Sequence, residues 1–215
     1  MYLLNYSCLI NSFHIPFQAP ELVVVGMQSD GKSTFIEGLL GFQFNIVDTN
    51  IGTRRPLIIQ MTNDPSKSIP SCRFRKEYIV QGSEDEFESH ETPVDVLCEE
   101  IMKRTDLKSG TAKDNVPDVP IILRVSYEHC ANLTIIDTPG FRLYGNEKLK
   151  NDIEAMVMKL IAPKHRIIVC LEQSTTEWAN TVSRPLVQRI DPEFSRTVLV
   201  NTKFDNRVKE LRDEE

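Results

Sequence analysis

A lysine and a hydroxyl set directly after a glycine, Gly31-Lys32-Ser33, close the stretch GMQSDGKST at residues 26–34. The stretch fits G-x-x-x-x-G-K-[ST], with Gly26, Gly31, Lys32 and Ser33 in the defining places. The apolar run Leu22-Val23-Val24-Val25 precedes it and a helix-like segment, residues 35–40, follows. Gly31 lets the backbone approach phosphate oxygens with no Cβ in the way, and the amides after it point into one concavity at the positive end of a helix dipole. Lys32 can reach the β- and γ-phosphates as a point charge, and the Ser33 hydroxyl can ligate Mg2+. A nucleoside triphosphate is the expected ligand.

Two further clusters carry matching chemistry. The run Leu133-Thr134-Ile135-Ile136 ends in Asp137-Thr138-Pro139-Gly140, which puts an acid at the carboxyl end of a strand, where it can hold a Mg2+ shell. Gly140 can bring a backbone amide next to the γ-phosphate and hinge the loop behind it. The strand at 196–200 leads into Asn201-Thr202-Lys203-Phe204-Asp205 at the edge where open α/β sheets bind ligands. The stem of Lys203 can lie along a purine ring, and Asp205 can accept from both the ring N–H and the exocyclic amine of guanine. Adenine offers no such pair of donors, which favours GTP over ATP. Between these clusters, Thr53 precedes Arg54-Arg55-Pro56 and the strand-like run 57–61, where a Thr can complete Mg2+ coordination and sense the γ-phosphate.

These groups need a sheet to bring them together, and the patterning supplies one. Residues 21–25 read as a buried strand and 32–40 as the helix that the phosphate loop starts, ended by Gly41. Residues 42–44 read as a short extended piece and 74–80 as a short strand. One or two helices are expected within 84–104, and a loop at 108–120. The runs 121–127 and 133–137 look like paired strands. A helix follows at 147–160, then a strand at 166–171, and a helix within 181–190 placed mainly from Pro185 onward. The 215 residues fit one α/β domain with a substantial core and an insertion at about 63–120, preceded by a lead-in at 1–20 that Pro16 and Pro20 end.

Composition narrows the partners. With 31 acidic and 25 basic residues the net charge is -6, so no nucleic-acid surface is expected, and Glu84-Asp85-Glu86 reads as a solvated face. Cys8, Cys72, Cys98, Cys130 and Cys170 are scattered without a C-x-x-C pair and read as reduced thiols of a cytoplasmic-type protein. His90 and His129 have no partners at metal-ligand spacing. No apolar run approaches the roughly 18 residues that would span a bilayer.

In order along the chain, GMQSDGKST, TRRP, DTPG and TKFD resemble the GTPase domain of the dynamin superfamily, with Gln28-Ser29 and Thr53-Arg54-Arg55-Pro56 separating it from small GTPases. The phrases ELVVVGMQSDGKS, GFQF, NLTIIDTPG and DPEFSRTVLVNTKFD further resemble the plant dynamin-related proteins of chloroplast division. The resemblance implies a phosphate-loop G domain with a mostly parallel central sheet flanked by helices, carrying a dynamin-type insertion. It implies GTP hydrolysis in which Gln28 places the attacking water and Ser29 contacts phosphate and a monovalent charge-compensating cation. Thr53 and Gly140 complete the catalytic set. GTP would be bound by Ser29, Asp30, Gly31, Lys32, Ser33, Thr34, Asp137, Gly140, Thr202, Lys203 and Asp205, with Ser33, Thr53 and, through water, Asp137 on Mg2+. The family also implies a homodimer of G domains across the nucleotide and coupling to membrane constriction or fission, with an association to microtubules. It implies recruitment from the cytoplasm to the cytosolic face of an organelle such as the chloroplast outer envelope, through other segments or recruiting proteins.

Three departures qualify the resemblance. Asp30 places a carboxylate in a loop meant for phosphate, which is unfavourable unless the side chain turns to solvent or a cation. Phe141-Arg142-Leu143 does not repeat the family's usual sequence after the glycine. Ten residues follow Asp205, so the C-terminal part of the domain is expected to be missing. Two function classes follow: an active GTP hydrolase, or a truncated nucleotide-binding or interaction module with little turnover. An ATP-dependent phosphate-loop enzyme is disfavoured by TKFD.

Overall fold

The computed structural model describes residues 21–44, 55–77, 86–109, 117–143 and 146–212. The lead-in at 1–20 and Thr53 lie outside them.

Seven strands form one sheet: β1 (Glu21–Gly26), β2 (Leu57–Asn63), β3 (Ser71–Phe74), β4 (Ile121–Tyr127), β5 (Leu133–Asp137), β6 (Arg166–Gln173) and β7 (Thr197–Thr202). Their order across the sheet is β3-β4-β2-β5-β1-β6-β7. β1 runs parallel to β5 and β6, β6 to β7, and β2 to β4. Only β2–β5 and β3–β4 are antiparallel, so the sheet is mostly parallel as expected. Among the described residues five α-helices accompany it: α1 (Lys32–Leu40), α2 (Leu97–Ser109), α3 (Glu147–Ile161), α4 (Ser183–Gln188) and α5 (Phe204–Arg212).

The unbroken apolar character of β1 follows from burial on both faces. Val23 and Val25 point to one side with Ile136, Ile168 and Cys170, where α3 covers them through Leu149, Ile153, Val157 and Ile161. Val24, Ile135, Val169 and Leu171 point to the other side, onto Ile36 and Leu40 of α1 and Leu97 of α2. Burying each such valine contributes about 1.5–3 kcal/mol before entropy is counted. Asn146 caps α3, its side chain accepting the Lys148 amide at 2.9 Å.

Several elements differ from the sequence reading for identifiable reasons. β4 and β5 are not neighbours: β2 lies between them, because its apolar run is flanked on both edges. The connection at 128–132 crosses the end of β2, tied there by the Asn63 amide to Asn132 Oδ1 at 2.8 Å and Asn63 Nδ2 to the Glu128 carbonyl at 2.6 Å. The strand expected at 74–80 overlaps β3 only at Phe74; 75–77 belong to no strand and 78–80 lie outside the described residues. Phe87 belongs to no helix; it forms an isolated bridge with Arg75, and the Arg124 guanidinium sits 3.8 Å from its ring centre. The helix expected within 84–104 begins only after Pro93, as a 3-10 turn at Val94–Val96 that runs into α2, and continues to Ser109. Residues 42–44 form no strand; the Phe44 amide donates to Glu37 Oε1 and its ring enters the core. α4 starts at Ser183 rather than Pro185, following a 3-10 turn at Trp178–Asn180. Cys72, Cys130 and Cys170 are buried and unpaired, and burial pushes the Cys72 and Cys170 thiols up to about 12.

Arg55 ties the start of β2 to the segment after it. Its buried guanidinium donates to both Glu77 carboxylate oxygens at 2.9 and 3.0 Å and to the carbonyls of Val119, Arg104 and Pro120.

Candidate nucleotide site

The phosphate loop crosses the carboxyl edge of the sheet between β1 and α1. Its turn is made by two left-handed residues, Ser29 at φ 71° and Gly31 at φ 85°. α1 starts from Gly31, whose carbonyl accepts the Phe35 amide at 2.9 Å, and no side chain caps its first turn. An uncapped helix start presents its amides to an anion. Ser33 is half-buried in that turn, while Gln28, Ser29 and Thr34 are exposed.

Lys32 is buried, its Nζ donating to the carbonyls of Met27 at 2.8 Å and Gly26 at 3.3 Å. Burial lowers its pKa from the ordinary lysine value, against the opposite pull of Asp137 and then Asp30. The ammonium thus rests on neutral carbonyls, acceptors that charged phosphate oxygens can displace.

The second cluster closes over the first. Asp137 ends β5, buried to 1% exposure, and the Thr138 hydroxyl donates to the Val24 carbonyl at 2.7 Å, fastening the segment to β1. Gly140 lies directly on the phosphate loop: a Cβ there would stand 2.6 Å from the Gln28 nitrogen and 2.8 Å from Lys32 Nζ. Only glycine permits that approach. Phe141 then donates its amide to the Gly26 carbonyl and accepts the Gln28 amide, both at 3.0 Å, extending the β1–β5 side of the sheet over the site.

The third cluster arrives with β7. The Thr202 hydroxyl donates to the Asp30 carbonyl at 2.8 Å. Lys203 takes a left-handed φ of 54°, its carbonyl held by the Ser174 hydroxyl at 3.0 Å. Asp205 is exposed in the first turn of α5, 3.9 Å from Lys209. The structure therefore brings residues 26–34, 137–140 and 202–205 to one edge.

Asp30 departs from expectation. Its side chain turns neither to solvent nor to a cation but into the protein, at 5% exposure. Oδ2 accepts the Met27 amide at 2.7 Å and Oδ1 accepts Gln173 Nε2 at 3.2 Å. Burial raises its pKa, opposed by those bonds and by the charges of Lys32 and Lys203. Gln173 and the buried Glu172–Arg184 pair are absent from the sequence reading, and Phe141 enters it only as a departure from the family's sequence, with no place in the site. Gln173 offers one signal, as a polar residue closing an apolar strand at the ligand-binding edge; the other two offer none without the fold. Arg184 Nη2 donates to Glu172 Oε2 at 3.1 Å and to the Trp178 carbonyl at 2.7 Å, with its guanidinium 3.2 Å from the indole centre. Clefts of about 500 and 530 Å3 lie elsewhere, beside β3 and α2, lined by Arg, Lys and Glu side chains paired with one another. Among the described residues no group of His, Cys, Asp and Glu could hold a metal ion on its own.

Residues 22–204 match the Dynamin family. The chain is 57% identical to Dynamin-like protein C of Dictyostelium discoideum over 98% of its residues and 28% of that relative. It is 43% identical to Dynamin-related protein 5A of Arabidopsis thaliana over 90% of this chain and 24% of the relative, and 36% identical to Dynamin-like protein ARC5 of the same plant over 94% and 26%. The chain spans about a quarter of the length of these relatives. With its phosphate loop, its Asp137–Gly140 segment and Lys203 all inside the matched stretch, the chain belongs to the dynamin family.

Proposed function

We propose that the chain binds GTP and hydrolyses it to GDP and phosphate. The observation that supports this reading is the close approach of Gly140 to the phosphate loop, where a Cβ would stand 2.6 Å from the Gln28 nitrogen and 2.8 Å from Lys32 Nζ. Lys32 and the amides that open α1 bind and orient the triphosphate; Gln28 and the Gly140 amide hold the attacking water and the γ-phosphate in line. Catalysis in such a site is positioning plus charge stabilisation. Ser33 and Asp137 are oxygen donors of the kind that suit Mg2+, which when bound neutralises charge developing on the β- and γ-oxygens. Thr53 is assigned to the same cation by the resemblance, and Ser29 to a monovalent one. Lys203 and Asp205 read guanine.

Coupling to membrane constriction, G-domain dimerisation across the nucleotide and an organelle such as the chloroplast as the place of action are inferred from the resemblance to the dynamin-related proteins. Among the described residues no helix is long and apolar enough to cross a membrane. Lys32→Ala tests the reading: binding of a fluorescent GDP analogue is expected to weaken about 100-fold or more as a buried charge–phosphate contact is lost. Equal affinity of parent and variant would refute the assignment.

A further inference from the structure

The resemblance counts Asp30, the loop's one acidic residue, among the GTP-binding positions, yet its carboxylate is taken up by the protein itself. Asp30 is gripped from three strand ends: its Oδ2 by the amide of Met27 beyond β1, its Oδ1 by Gln173 at the end of β6, and its carbonyl by Thr202 at the end of β7. Gln173 Nε2 also lies 3.4 Å from the Ser29 carbonyl, so one amide spans the residue before and the residue itself. A cavity of about 230 Å3 adjoins this contact, lined by Gln28, Asp30, Gln173 and Ser183. In it the Ser183 hydroxyl, at 1% exposure, has no hydrogen-bond partner among the described residues.

An anion inside a phosphate loop competes with the ligand unless its charge is spent elsewhere. Here it is spent on Met27, turning one amide inward and folding the loop so that Ser29 and Gly31 take their left-handed turns. Gly26 makes room for it, since a Cβ there would come within 3.3 Å of Asp30 Oδ2 and 2.8 Å of the Leu171 carbonyl. Through Thr202 the same residue sets the height of the loop that carries Lys203.

We propose that Asp30 and Gln173 form a positioning pair that fixes the phosphate loop against the base-reading loop, so that triphosphate and base are bound in register. This rests on the guanine-nucleotide reading of the site. The pair acts through the backbone and touches no reacting atom.

Gln173→Glu would face two carboxylates and break the pair, whereas the double variant D30N/Q173E restores one donor and one acceptor with their roles exchanged. The readout is the affinity of the full chain for fluorescent GDP and GTP analogues, with circular dichroism to check folding. Q173E is expected to bind about ten-fold more weakly or worse, and the double variant within about three-fold of the parent. A merely structural role for Gln173 predicts no rescue by a second change. Parent-like binding by Q173E, or a double variant as weak as Q173E, overturns the positioning role alone; a parent chain that binds neither analogue overturns the nucleotide reading and this role with it. Should Q173E not fold, the double variant decides: folded and binding supports the pair, unfolded overturns it.

Discussion

At the scale of single residues, the site is set by close approaches more than by charges. Gly140 shows this most sharply, because a Cβ there would strike the Gln28 backbone, which cannot step aside without moving the phosphate loop, and would crowd the Lys32 ammonium beside it. Gly140→Ala is therefore expected to lower kcat for GTP about 100-fold, the scale on which a misplacement near 1 Å acts, with little change in melting temperature. A kcat equal to the parent's would show that the segment after β5 does not set the loop. Most of these residues were legible in advance: Gly26, Gly31, Lys32, Asp137 and Gly140 stand out by type and spacing. The direction taken by Asp30 was not, since nothing in GMQSDGKST names Gln173, 143 positions away, as its partner.

At the scale of elements, short polar turns decide where the strands end. Asp191, in the turn between α4 and β7, is buried and accepts four hydrogen bonds, from the Ser195 amide and hydroxyl, the Arg196 amide and the Thr197 hydroxyl. Burial alone would raise its pKa, but these donors outweigh it and hold the carboxyl below the usual aspartate value. A carboxyl that titrates lower in the folded than in the unfolded chain stabilises fully above the unfolded value near 3.9, and loses that contribution as the pH falls through the folded one. Asp191→Asn is accordingly expected to cost about 2–3 kcal/mol in urea unfolding at pH 7, with the gap to the parent narrowing at pH 3. A gap that does not depend on pH would refute the charged form as the stabilising one. In the sequence DPEF stands only within a phrase that carries the resemblance, and the four donors to Asp191 become visible once β7 is placed.

At the scale of the whole molecule, the order β3-β4-β2-β5-β1-β6-β7 places β1 between two parallel partners and so collects the carboxyl ends of β1, β5, β6 and β7 at one edge. Apolar patterning, a local signal, showed the strands other than β3 and the two-sided burial of β1. It could not show that β2 separates β4 from β5, since pairing is decided by contacts far apart in the chain. Nor could it place Arg55, whose partners Glu77, Arg104, Val119 and Pro120 are scattered over the segment that follows β2. The account stands or falls on whether that edge is a guanine-nucleotide hydrolase site. The direct measurement is phosphate release by the full chain with Mg2+, from GTP and from ATP in parallel. Release from GTP, with ATP at least about 100-fold slower, is the expected result, because Asp205 would be left facing an adenine that cannot satisfy it. Equal rates for the two nucleotides, or none for GTP, would contradict it.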